Sequence, residues 1–211
     1  MFKKWYFWVG VVVFLAAAGG VLYGVLTHEE PGFMGVCWNE SGTVAKYHDP
    51  VKDPNPECKT ELKWQKKQLP LTYYIAFGED HKDYIASVVK GAGMWNREIG
   101  RELFKRVDKE AEAAIQVTWG GVSAKDHPGG STTHTGGPDG PTGAKVVLNN
   151  PSDVHAVYRY AAHEWGHVLG LAHDEAPRSI MYPTQPDVTD KMTFVLPSDF
   201  DKKILKQAYL Q

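Results

Sequence analysis

The first pattern along the chain is an uncharged apolar run over residues 5–26, WYFWVGVVVFLAAAGGVLYGVL, with Lys3 and Lys4 before it and Glu29 and Glu30 after it. A bilayer core takes about 20 helical residues to cross, so the run is long enough to form one transmembrane helix. Trp5, Tyr6 and Trp8 at one end and Tyr23 near the other suit the membrane interface, and the two lysines predict residues 1–4 inside and everything after Thr27 exported. A cleaved signal peptide is the competing reading, because Ala16, Ala17 and Ala18 precede two glycines. The apolar run continues for eight residues beyond Ala18, which favours an uncleaved anchor. Both readings place the rest of the chain outside the cytoplasm, as a single-pass membrane protein or, after cleavage, a secreted one.

Residues 27–68 are polar and broken by Pro31, Pro50, Pro54 and Pro56, which predicts a stalk. Patterning resumes near residue 69. LTYYIAF (71–77), AIQVTW (114–119) and AKVVLN (144–149) read as strands, rich in β-branched and aromatic residues. Between residues 82 and 103, Ile85, Val88, Val89, Ala92, Trp95, Ile99 and Leu103 recur at helical spacing and predict a long packing helix. Pro151, Ser152 and Asp153 start a second helix that runs to about Leu169. Ser198 to Asp201 match a capping box before a third, with Phe200, Ile204, Leu205 and Ala208 as its stripe. The Gly- and Pro-rich segment 126–143 reads as loop, with STTHT (131–135) as a short exposed strand. Strands and helices in this order imply an α+β domain over residues 69–211.

Composition narrows the partners. A formal net charge of -2 offers no basic field for nucleic acid. Cys37 and Cys58 suit an oxidising compartment, and a bridge between them would close a loop of about 20 residues worth roughly 3 kcal/mol.

The chemistry concentrates in AAHEWGHVLGLAHD, residues 161–174. Four residues apart on a helix, His163 and His167 share a face and can bind one Zn²⁺ through their imidazoles. Glu164 is displaced by about 100° around the same helix and can reach a water on that ion. Gly170 can adopt the positive φ that stops the helix, so that His173 returns as third ligand. Three protein ligands leave a coordination position open, as in a catalytic zinc centre.

The segment matches H-E-x-x-H-x-x-G-x-x-H, and Ser179, Ile180, Met181, Tyr182 and Pro183 look like the Met-turn that accompanies it. The chain therefore resembles the metzincin zinc metalloproteases, closest to the matrixins. Trp95 and Asn96 in the long helix, the strand at Leu71 and the final Ser-Asp-x-Asp helix are also similar, and the likeness covers about residues 69–209. It implies a twisted mixed sheet with a packing helix, an active-site helix and a C-terminal helix. It also implies a catalytic zinc on His163, His167 and His173, Glu164 as general base, and a protein or peptide substrate. Met181 would underlie the metal without ligating it, and Tyr182 falls one position short of an astacin-type tyrosine ligand. Asp174 stands where matrixins usually carry Ser, and a bond from it to the Met-turn is expected.

The matrixin pattern further includes structural Zn²⁺ and Ca²⁺ sites. Here only Asp126, His127, His134 and Asp139 are offered, and the expectation is solvated loop residues. Neither MGVCWNE nor PECKTE resembles the family's thiol switch. His155, in the first turn of the active helix, reads as a packing or surface residue. The expected reaction is peptide-bond hydrolysis by a water activated on zinc, with Glu164 taking the proton and passing it to the leaving amine, and the peptide lying along residues 131–135. The alternatives are a membrane-anchored zinc-containing binding or assembly module, against which the intact Glu164 counts, and a hydrolase acting on a non-peptide bond. Neither the substrate sequence nor the oligomeric state is written in these patterns.

Overall fold

The computed structural model describes residues 35–38, 44–48, 60–76, 82–120, 129–137, 139–149, 154–174, 179–183 and 196–211. The expected anchor at residues 5–26, Cys58, Asp126 and His127 lie outside them. Among the described residues no helix is long and apolar enough to cross a membrane.

Strands β1 (Gly35–Trp38), β2 (Val44–His48) and β3 (Thr60–Glu61) form a small antiparallel sheet in the order β2-β1-β3. The main sheet contains β4 (Leu71–Ile75), β5 (Phe104–Arg106), β6 (Ile115–Trp119), β7 (Gly130–Gly137) and β8 (Gly140–Leu148), in the order β5-β4-β6-β8-β7. Its strands are parallel except β7, which pairs antiparallel with β8 at the sheet's edge. Helices α1 (Lys82–Ile99), α2 (Val154–Val168) and α3 (Asp199–Tyr209) complete a mixed-sheet α+β architecture.

The alternating burial of β4, with Leu71, Tyr73 and Ile75 inward, is what its period-two pattern predicts. Helix α1 stops at Ile99 and not at Leu103, because Gly100 takes φ 78°. Asn96 then organises the turn into β5, accepting the Leu103 and Phe104 N–H groups on Oδ1 and donating to the Phe104 carbonyl. Three-residue β5 has no readable period, which is why the patterning missed it.

The α2 helix is held against α1 by exchanged indole bonds. Trp95 Nε1 donates to the Ala162 carbonyl at 2.8 Å, and Trp165 Nε1 donates to the Val88 carbonyl at 3.1 Å. Both indoles are fully buried, so each N–H must find a partner inside the protein. Trp165 also packs against Tyr73 and Phe104, with ring centroids 4.9 and 4.6 Å away. Helix α2 is thus fixed to both the long helix and the sheet.

Two differences from the sequence patterning have physical causes. Leu62 and Trp64 are buried, Trp64 within the main core, so the compact domain takes in residues earlier than 69. The short strand read at residues 131–135 of the Gly- and Pro-rich segment is longer, an eight-residue edge strand, β7, and β8 begins at Gly140. Cross-strand pairing overrides the weak propensities of these residues, and Pro141 sits where the ladder shifts register, beside Gly136.

Candidate metal centre

Helix α2 delivers His163 and His167 one turn apart, with Glu164 directly after His163. Gly170, at φ 92°, ends it as a Schellman turn, with Gly170 N–H donating to the His167 carbonyl and Leu171 N–H to the Gly166 carbonyl. The reversal brings His173 back. One nitrogen from each of His163, His167 and His173 lies within 4.8 Å of the others. Ring centroids are 4.6 Å apart for His163 and His167, 4.8 Å for His167 and His173, and 5.3 Å for His163 and His173. No second such cluster occurs among the described residues.

The tautomers follow from the partners. His163 Nδ1 lies 2.7 Å from the Ile180 carbonyl, and His167 Nδ1 lies 2.8 Å from the Leu171 carbonyl. A carbonyl only accepts, so both Nδ1 atoms carry protons and both Nε2 atoms present lone pairs when the rings are neutral. Burial, reinforced by His173, pushes His163 down to about 4. Burial and the neighbouring histidines push His167 well below its ordinary value. The rings are therefore neutral at pH 7. Their Nε2 atoms face each other at 3.0 Å, where two lone pairs repel and a shared cation makes the contact favourable. Imidazole donors of this kind suit Zn²⁺, so the residues present fit the ion that the sequence pattern implies.

Glu164 is only 4% exposed, and burial raises its carboxyl to about 7 against the opposing effect of the Thr132 hydroxyl bonded to it. Under α2, Met181 is fully buried beside Gly166. The turn that carries Met181 is tied at several points. Met181 N–H donates to Ser179 Oγ, Ser179 Oγ donates to Asp201 Oδ2, and Asp201 Oδ2 also accepts the Ser198 N–H. Burial, with the Asp174 charge nearby, lifts Asp201 to about 6 against these hydrogen bonds. Asp174 meets the Met-turn through its backbone, its N–H donating to the Met181 carbonyl at 2.9 Å.

Several of these positions escaped the sequence. His134, expected as a solvated loop residue, is buried on β7 with Nε2 3.1 Å from the Val168 carbonyl, and burial lowers it to about 4. The same carbonyl accepts Trp64 Nε1 at 2.6 Å, and Tyr209 Oη donates to the Leu169 carbonyl at 3.0 Å. These groups satisfy carbonyls that a helix end leaves open. Asp139 is exposed in the β7–β8 turn and His155 is exposed on α2.

The chain is 30% identical over 150 residues to matrix metalloproteinase-18 of Xenopus laevis, covering 64% of this chain and 31% of that protein. It is 31% identical over 129 residues to human matrilysin, covering 56% and 48%. It is 48% identical over 62 residues to matrix metalloproteinase-25 of Mus musculus, covering 29% and 9%. The chain thus spans less than half the length of each of these relatives. The sequence model described as Matrixin matches residues 63–210, and the chain belongs to the matrixin family of metzincins.

Proposed function

We propose that the chain is a zinc-dependent endopeptidase, with His163, His167 and His173 holding the ion and Glu164 serving as general base. The observation that carries this reading is the convergence of three imidazole nitrogens, two of their rings already committed through Nδ1 to backbone carbonyls, on a segment whose helix also carries the buried Glu164. When bound, zinc supplies a Lewis acid and a water acidic enough to ionise near neutral pH. Glu164 takes the proton from the attacking water and delivers it to the leaving amine. The histidines do no proton transfer. Their Nδ1–H bonds to Ile180 and Leu171 fix ring orientation, which is how partners beyond the ligands sharpen a metal site.

Two relatives are named as matrix metalloproteinases and a third as matrilysin, which supports a protein or peptide substrate here. An extended peptide can add to the edge strand β7, where main-chain pairing makes no demand on side chains. The test is a peptide-library digest with the full chain: zinc near one per chain and cleavage abolished by a chelator are expected, and zinc-loaded protein that cuts no peptide would overturn the assignment.

Residues 5–26 are proposed as an uncleaved anchor, the segment between it and the buried Leu62 as a stalk bridged through Cys37 and Cys58, and the catalytic part as lying outside the cytoplasm. The protein is expected to stay with membranes through a carbonate wash, keep an N-terminal tag, and show no titratable thiol before reduction. A soluble chain starting near Gly19, or two free thiols, would reject the respective part.

A further inference from the structure

Strand β7 runs beside α2 with matched spacing. Two strand residues advance about 6.8 Å and four helical residues about 6 Å. Thr132 and His134, on one face of β7, accordingly meet Glu164 and Val168. Thr132 Oγ1 lies 2.6 Å from Glu164 Oε2 and 3.2 Å from the Glu164 carbonyl. A hydroxyl has one proton to donate, and 2.6 Å is the length of a charge-assisted O–H···O⁻ bond, so the proton goes to the carboxylate.

We propose that Thr132 is a positioning residue for Glu164, its hydroxyl holding one carboxylate oxygen against the edge strand so that the other is left to exchange the proton with water and substrate. The inference rests on Glu164 being the base. Branching at Cβ restricts the Thr132 rotamer, and pairing with Val146 fixes its place along the sheet. The hydroxyl is therefore set before any peptide arrives. Because β7 is also the edge on which the peptide docks, one strand places both the base and the substrate backbone. A valine at this position would fill nearly the same space without supplying the donor.

The test compares Thr132→Val, Thr132→Ser and Glu164→Gln in the full chain. Thr132→Val should keep its zinc and its KM while kcat falls about tenfold, the scale of one hydrogen bond to a charged group. Thr132→Ser should recover to within about threefold of wild type, because the hydroxyl returns. With ¹³C-carboxyl-labelled glutamate, the Glu164 resonance, identified by its absence in Glu164→Gln, should move in Thr132→Val and return in Thr132→Ser. Wild-type kcat with an unmoved resonance in Thr132→Val would overturn the proposal, as would a loss of kcat in Thr132→Ser equal to that in Thr132→Val. If the wild-type chain cleaves no peptide, the functional reading fails instead, and the resonance alone decides whether the hydroxyl holds the carboxylate.

Discussion

Glu164→Gln is expected to leave zinc near one per chain while turnover falls by about 10²- to 10⁴-fold, the range for losing a general base. The substitution keeps the shape of the side chain and its capacity to accept from Thr132 Oγ1, so the local structure should hold. What it removes is a group able to take a proton. His163→Ala, His167→Ala and His173→Ala act differently, because each deletes one of three converging donors. Zinc content and activity should then fall together. The contrast matters because His163 and Glu164 are adjacent in sequence, and a merely damaged helix would lower both quantities in every variant. Zinc measured by atomic absorption beside kcat on one peptide separates the roles; a Glu164→Gln enzyme turning over at the wild-type rate would remove Glu164 from the mechanism.

How far such roles were legible in the sequence depends on the range of the interaction that creates them. His163 and His167 are placed by helical period alone, and Gly170 announces the turn that returns His173, so the donor set can be read within eleven residues. The capping box at Ser198 and Asp201 is equally local and is present as expected. Partners set by tertiary packing carry no local signal. Thr132 reaches Glu164 across 32 positions, and Trp64 reaches the Val168 carbonyl across 104. His134 reads as solvated because its neighbours are glycine, proline and threonine, and only pairing with β8 and packing on α2 give its strand a buried face. Asp201 illustrates both ranges. Its role in the cap was visible, whereas its bond to Ser179, which braces the turn under the metal centre, was not.

Gly166→Ala is expected to lower stability by about 1–3 kcal/mol and to weaken zinc retention about 10- to 100-fold. In an exposed helix the same change would stabilise by up to about 1 kcal/mol, because alanine is the better helix former. Here overpacking wins. A Cβ at Gly166 would stand 2.2 Å from Met181 Sδ and 3.0 Å from both Met181 Cε and Trp95 Cζ2. Trp95 is pinned by its bond to Ala162, so Met181 must give way. Met181 is not free to do so alone, since its N–H is held by Ser179 Oγ and its carbonyl by the Asp174 N–H. Displacing that turn also moves the Ile180 carbonyl, which orients His163, and strains the segment that carries His173. Urea unfolding should show a lower midpoint at unchanged m-value, and chelator competition should show faster zinc loss. The double variant Gly166→Ala with Met181→Ala gives the added methyl some of the space vacated by the thioether, so its loss should be smaller than the sum of the two single losses. Additive losses, or a Gly166→Ala protein as stable as wild type, would mean that Met181 does not press on the helix as this packing requires.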